Sequence, residues 1–345
     1  MSAQKRIANL LLKLPAPILV AMSGGRPVVR DGLTLDPGFQ FIAASAAKQP
    51  LPQVLHPEMM RAGTDKLVEL FGGTLEAGVT CAEHVMHLEG RDIAARSYRP
   101  DKQNPSAPLM VFYHFGGGVV GSIETCHAFC SMLAKTIECP VLSVDYRLAP
   151  EHRWPAGLDD AIDAFIWARA HATEFGAPKD QASVGGDSMG GNFSAITAQE
   201  LQRRDLPQPF LQLLIYPTTT ILELDGSMQS CADAFPLTAR IMDWFMANYL
   251  PADAKPEDVR ISPALAPSLK GLAPTIMVTA GHDPLRDQGH AYAKALREAG
   301  VRVHSLCFDA MAHGFTAYTG GIANARRACL EIARLTAQTY RDLGG

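Results

Sequence analysis

At 345 residues the chain is long enough for one large α/β domain with an insertion, or for two smaller domains. Hydrophobic residues make up 47% of it and charged residues 19%, the balance of a chain with a sizeable core and the opposite of a disordered one. With 31 Lys and Arg against 35 Asp and Glu, the formal charge is −4 and no basic run exceeds two residues, so no field favours nucleic acid or an anionic membrane surface.

The N-terminus has a basic start and two apolar stretches, Ile7 to Leu12 and Ile18 to Met22, interrupted by Lys13 and Pro15-Ala16-Pro17. That run is too short and too broken for a membrane span, so no stable insertion is expected. It also lacks the single apolar core of a signal peptide, although Ala21-Met22-Ser23 is a faint cleavage-like ending. The reading is an amphipathic first helix resting on the fold, or loosely on a membrane. The seven cysteines, Cys81, Cys126, Cys130, Cys139, Cys231, Cys307 and Cys329, include no Cys-x-x-Cys pair. Neither a disulfide framework nor a zinc site is indicated, and Cys126 and Cys130 read as two small residues of a helix. The expected setting is cytoplasmic, with secretion as the alternative.

The first eighty residues carry no strong strand signal and are broken by Asp31-Gly32, Asp36-Pro37 and Pro50-Leu51-Pro52. From Glu83 onward, short apolar runs alternate with helical stretches. Strands are predicted at Ile93–Tyr98, Leu109–Phe115, Pro140–Val144, Ala182–Val184, Leu211–Tyr216, Ile276–Ala280 and Val301–Phe308. Helices are predicted at Thr125–Ile137, Gly157–Glu174, Gly191–Arg203, Arg286–Glu298 and Ile322–Tyr340. Continuous apolar strands alternating with helices imply a mostly parallel sheet covered on both faces. Between Pro217 and Pro263 the rhythm stops, leaving only a helical segment, Thr238 to Tyr249, with Trp244, Phe245 and Tyr249. An insertion there suggests a lid over a pocket.

Gly186, Ser188 and Gly190 form Gly-x-Ser-x-Gly between a short strand and a helix. Such a turn strains the serine backbone and leaves no room for side chains on either side, which exposes the hydroxyl. A serine attacks only if a base takes its proton and a third group orients that base. Of the histidines that follow Ser188, His304 lies within a strand and His290 on a helix. His282 precedes the candidate acid, and His313 lies in a loop after the last strand. Three carboxylates could orient the base. Asp283 sits at a strand end, Asp287 in the first turn of a helix and Asp309 at the end of the last strand, and loop position favours Asp283.

Donors for a developing oxyanion are expected from the backbone N–H of Met189 and from the loop His114-Phe115-Gly116-Gly117-Gly118-Val119-Val120-Gly121. Gly116, Gly118 and Gly121, with Asp145 24 residues further on, also match a dinucleotide-binding fingerprint. That reading leaves Ser188, Asp283 and His313 unexplained, whereas hydrolysis uses the loop and all three.

Together these residues resemble the hormone-sensitive-lipase-like esterases, bacterial family IV of the α/β-hydrolase superfamily. Asp145-Tyr146-Arg147-Leu148-Ala149-Pro150-Glu151-His152, Gly186 to Asn192, Asp283 to Asp287 and His313-Gly314-Phe315 match its motifs in order, and Asp31-Gly32 with Leu35-Asp36-Pro37 resembles a segment of some members' caps. The resemblance implies an α/β-hydrolase fold, a mostly parallel central sheet flanked by helices, with a helical cap. A single domain over residues 1–345 is expected, with the cap from about 1–60 and 218–262 and the core from 61–217 and 263–345. It also implies Ser188, Asp283 and His313 as catalytic residues and short to medium acyl esters as substrates, with no metal or organic cofactor. Phe235, Leu237, Trp244 and Phe245 are candidates either to line the pocket or simply to pack the cap, and homodimerisation through the edge strand Val301–Phe308 is a family expectation.

The chain departs from the family in that loop, where Phe115 follows the histidine in place of the usual glycine. An ungapped alignment puts the oxyanion donors on Gly116 and Gly117, and a gapped one moves them one residue along. Gln288, where Glu is common, is a second departure.

Overall fold

The computed structural model describes residues 3–49, 52–222 and 225–344. Eight strands form one sheet: β1 (Val79–Leu88), β2 (Arg91–Pro100), β3 (Leu109–Tyr113), β4 (Val141–Val144), β5 (Ala182–Asp187), β6 (Gln212–Ile215), β7 (Thr275–His282) and β8 (Val303–Ala312). Their spatial order is β8-β7-β6-β5-β3-β4-β2-β1. From β4 to β8 every neighbouring pair is parallel, whereas β1, β2 and β4 pair antiparallel.

The central strands are apolar throughout because both faces are covered. In β3, Met110 and Phe112 join one core cluster, while Leu109, Val111 and Tyr113 join the cluster on the other face. This is the two-residue period of a strand acting on two cores at once. The strand missing from the sequence reading is β1. It contains Glu83, His84 and His87, and most of it is exposed, so it lacks the apolar run that marks the buried strands.

Helices α1 (Ala3–Leu11), α2 (Ala16–Met22), α3 (Pro37–Ala46) and α4 (Pro57–Phe71) precede the sheet, and α1 packs on α4 and α2 on α3. A two-residue ribbon, Val29–Arg30 with Leu33–Thr34, separates α2 from α3. Asp36 caps α3 by accepting from the Gly38 and Phe39 N–H groups at 2.7 and 3.3 Å. The sheet is then flanked by α5 (His127–Ile137), α6 (Ala156–Ala170) and α7 (Met189–Arg203). The predicted insertion contains α8 (Ser227–Ser230) and α9 (Ala239–Tyr249), and α10 (Arg286–Glu298) and α11 (Ala323–Asp342) complete the chain. Helices α5 and α11 cover one face, and α6 and α7 the other. All seven cysteines are free, with Cys130 buried in α5.

Candidate active site

Ser188 stands between the end of β5 and the first turn of α7, with φ 58° and ψ −116°. That backbone is sparsely populated for a residue with a side chain and is held in place by its neighbours. A Cβ on Gly190 would lie 2.0 Å from the Tyr113 carbonyl oxygen, and one on Gly186 would lie 2.4 Å from the Gly190 backbone. The turn closes against β3 only because both positions lack a side chain. The Ser188 N–H then donates to the Ile215 carbonyl at 2.8 Å.

The loops after β7 and β8 bring two more residues to this turn. His313 Nε2 lies 2.9 Å from Ser188 Oγ, and its Nδ1 lies 2.8 Å from Asp283 Oδ2. Asp283 is fully buried, and its other oxygen accepts from the Leu285 N–H at 2.8 Å. The His313 ring rests against Tyr216, with 4.8 Å between centroids.

None of the other candidates bonds Ser188 or His313 among the described residues. Asp287 pairs with Arg286 and accepts from the Ser227 N–H, each at 2.8 Å, and Asp309 lies within β8. His290 shares a hydrogen bond with Thr279 at 2.9 Å, and His304 is a residue of β8. His282 is buried near Arg30 and Arg286, and burial pushes its pKa down to about 4.

Residues that pattern reading passed over support this line. Asp187 is buried behind Ser188 and accepts from Thr316 Oγ1 at 2.6 Å and Tyr216 OH at 3.0 Å. It thus ties the end of β6 to the loop that carries His313. Burial pushes its carboxyl up to about 6. The only sequence signal was its place beside Ser188.

The glycine-rich loop leaves β3 with Gly116, Gly117 and Gly118 at φ 125°, 61° and 71°. The Gly116 carbonyl accepts from both Val119 and Val120 N–H at 3.0 Å, closing a tight turn. Gly116 and Gly117 line the same cavity as Ser188, Met189 and His313. Gly118 turns away, its carbonyl held by the Ala149 N–H at 2.8 Å and its Cα facing the Tyr249 ring. The N–H groups of Gly116, Gly117 and Met189 donate to no acceptor among the described residues. Phe115 takes up its departure from the family as a half-buried ring in the cavity wall, packed on the main core.

Arg61 of α4 clamps this loop from outside. It donates to the Val119 and Ala149 carbonyls at 2.9 Å each and forks onto Glu151 at 2.8 and 2.7 Å. The guanidinium pulls the Glu151 carboxyl down to about 2. Beside it, Arg147 and Arg91 converge on buried Asp160 at 2.8 and 2.5 Å and so hold the Tyr146–Glu151 segment.

The cavity over Ser188 has a volume of about 1020 Å³. Its apolar walls include Met59, Met60, Phe235, Leu237, Met242 and Phe245. Trp244 does not line it and packs the cap instead: its indole N–H needs an acceptor and donates to the Leu55 carbonyl at 2.8 Å. Among the described residues, no group of His, Cys, Asp and Glu is arranged to hold a metal ion, and no helix is long and apolar enough to cross a membrane.

A family profile described as the alpha/beta hydrolase fold matches residues 110–317. The chain belongs to the α/β-hydrolase family. It falls in the hormone-sensitive-lipase-like branch that its motifs resemble. The carboxylic ester hydrolase LipN of Mycobacterium tuberculosis is 40% identical to it over 311 residues, covering 88% of this chain and 82% of that one. Ethyl acetate hydrolase of Pseudomonas putida is 37% identical over 230 residues, 66% of this chain and 72% of that one. Among solved α/β-hydrolases, an ester hydrolase from the metagenome of Lake Arreo, in complex with a derivative of bipyridine phosphonate, superposes with a TM-score of 0.83. It is 34% identical and covers 88% of this chain and 96% of its own. This α/β-hydrolase is a carboxylic ester hydrolase.

Proposed function

We propose that the chain hydrolyses short to medium acyl esters by two-step acyl transfer at Ser188. The observation that carries this reading is the hydrogen-bonded line from Asp283 through His313 to Ser188. Ser188 Oγ attacks the ester carbonyl while His313 Nε2 takes its proton and returns it to the leaving alcohol. Asp283 accepts from Nδ1–H, which keeps the other ring nitrogen free as base and stabilises the imidazolium that forms. The charge on the carbonyl oxygen is met by the backbone N–H groups of Gly116, Gly117 and Met189, which have no other acceptor among the described residues. Water activated by His313 then releases the acid.

Short acyl groups are supported by the kinship with ethyl acetate hydrolase and by the Phe245 ring, which presses on the Gly117 backbone close to the nucleophile. A series of p-nitrophenyl esters should peak at acyl chains of roughly two to eight carbons. Ser188→Ala should fold normally and lose turnover across the whole series. Full activity in Ser188→Ala, or a maximum at long-chain triglycerides, would overturn the reading.

A further inference from the structure

Helices α1 and α2 carry side chains that ester hydrolysis at Ser188 does not use, in a segment, residues 1–30, of unusual composition. That segment contains Lys5, Arg6, Lys13, Arg26 and Arg30 and not one carboxylate, although the whole chain has 31 Lys and Arg against 35 Asp and Glu. The modest negative charge of the molecule therefore hides a cationic N-terminal segment. Arg30 is taken up by Asp233 at 2.8 Å, and Lys5 donates to the Gly72 carbonyl at 3.2 Å. Arg6, Lys13 and Arg26 are exposed.

The same segment displays apolar side chains. Leu19 is buried and Leu12 packs on the main core, but Ile7, Leu10, Ile18 and Met22 are 61%, 69%, 45% and 47% exposed. Ile7 and Leu10 are three apart on α1, and Ile18 and Met22 four apart on α2, so each pair forms one stripe on its helix. Single exposed apolar residues are ordinary; two stripes among cations without carboxylates are not. Their location also matters. Ser23 and Val28, just beyond α2, line the cavity, and the exposed lining residues Ala46, Ala47 and Gln49 mark its open side at the end of α3.

We propose that α1 and α2 dock on the surface of an anionic phospholipid bilayer. Their apolar stripes rest at the boundary between headgroups and acyl chains, and Arg6, Lys13 and Arg26 face the lipid phosphates, with the open side of the cavity beside them. Helices of nine and seven residues are too short to span a bilayer, so the attachment is peripheral. Charge complementarity selects the occupant. A segment with cations and no carboxylate of its own suits a uniformly negative sheet of phosphates, whereas a second copy would oppose it with the same charge.

The test uses the full chain with sedimenting vesicles of phosphatidylcholine, alone or mixed with phosphatidylglycerol. The chain should sediment with the mixed vesicles, stay in solution with phosphatidylcholine alone, and be released by molar salt. Arg6→Glu with Lys13→Glu should weaken partitioning on the order of tenfold or more, and Ile7→Gln with Leu10→Gln should weaken it as well. None of these four residues lines the cavity, so hydrolysis of a water-soluble short ester should be unchanged in both variants and reports that they are folded. Failure of the wild-type chain to bind the mixed vesicles would overturn the proposal, as would binding that ignores both salt and the substitutions. So would self-association that depends on Ile7 and Leu10 without vesicle binding. Because docking is read without turnover, its failure would leave the hydrolytic reading intact, and the reverse holds too.

Discussion

At the scale of single residues, Asp187 has the clearest consequence. Its carboxyl is buried behind Ser188, and burial raises its pKa from 3.8 to about 6. The unfolded chain therefore ionises this group at a lower pH than the folded one does. Its stabilising contribution is complete below about pH 4 and is lost as pH rises through 6. Asp187→Asn can still accept from Tyr216 and Thr316 without ionising. Urea unfolding between pH 4 and 7 should show wild type losing stability relative to the variant, on the order of 2 kcal/mol across that window. A constant difference across the window would contradict the assignment. Nothing in the local pattern announces this behaviour, because the groups around Asp187 come from β6 and from the loop after β8. Phe115 is the opposite case. Its departure from the family motif is visible in the sequence, but only the fold shows that the ring joins the cavity wall while the following glycines make the turn.

At the scale of elements, the glycine-rich loop is held by a helix that the motifs do not mention. Arg61 reaches from α4 to the Val119 and Ala149 carbonyls and to Glu151, joining three segments through one guanidinium. Arg61→Ala should cost about 1–3 kcal/mol of stability, since charge-assisted bonds to two carbonyls and a carboxylate are lost. Looser N–H groups at Gly116 and Gly117 should lower kcat roughly tenfold with little change in KM, because the oxyanion forms only as the reaction proceeds. Steady-state kinetics with a short ester would check this; a rise in KM alone would place Arg61 in substrate binding instead. The helices α5, α6, α7, α10 and α11 and the parallel strands were legible because burial on both faces writes continuous apolar runs into them. Strand β1 was not, because its hairpin partner β2 and much solvent surround it and its sequence follows neither period cleanly.

At the scale of the whole molecule, residues of α3, α4 and α9 close over the strand ends to make one cavity of about 1020 Å³. Phe245 of α9 stands so close to Gly117 that a Cβ there would lie 2.4 Å from its ring, which narrows the space next to Ser188. Phe245→Ala should shift the preferred acyl length upward in a p-nitrophenyl ester series and leave acetate hydrolysis within a few-fold of wild type. An unchanged profile would show that another wall sets the length. The sequence by itself singled out Ser188, Asp283 and His313 and their order along the chain. The constraint on Gly186, Ser188 and Gly190 is local to one turn, and each remaining participant stands just past an apolar run. The tertiary structure alone decided which carboxylate bonds His313, which glycines face Ser188, and what the N-terminal helices leave exposed. Ser188 and His313 are 125 residues apart in the chain and 2.9 Å apart in space. That separation is set by the parallel sheet, which aligns the ends of β5, β7 and β8, and no spacing within a single motif encodes it.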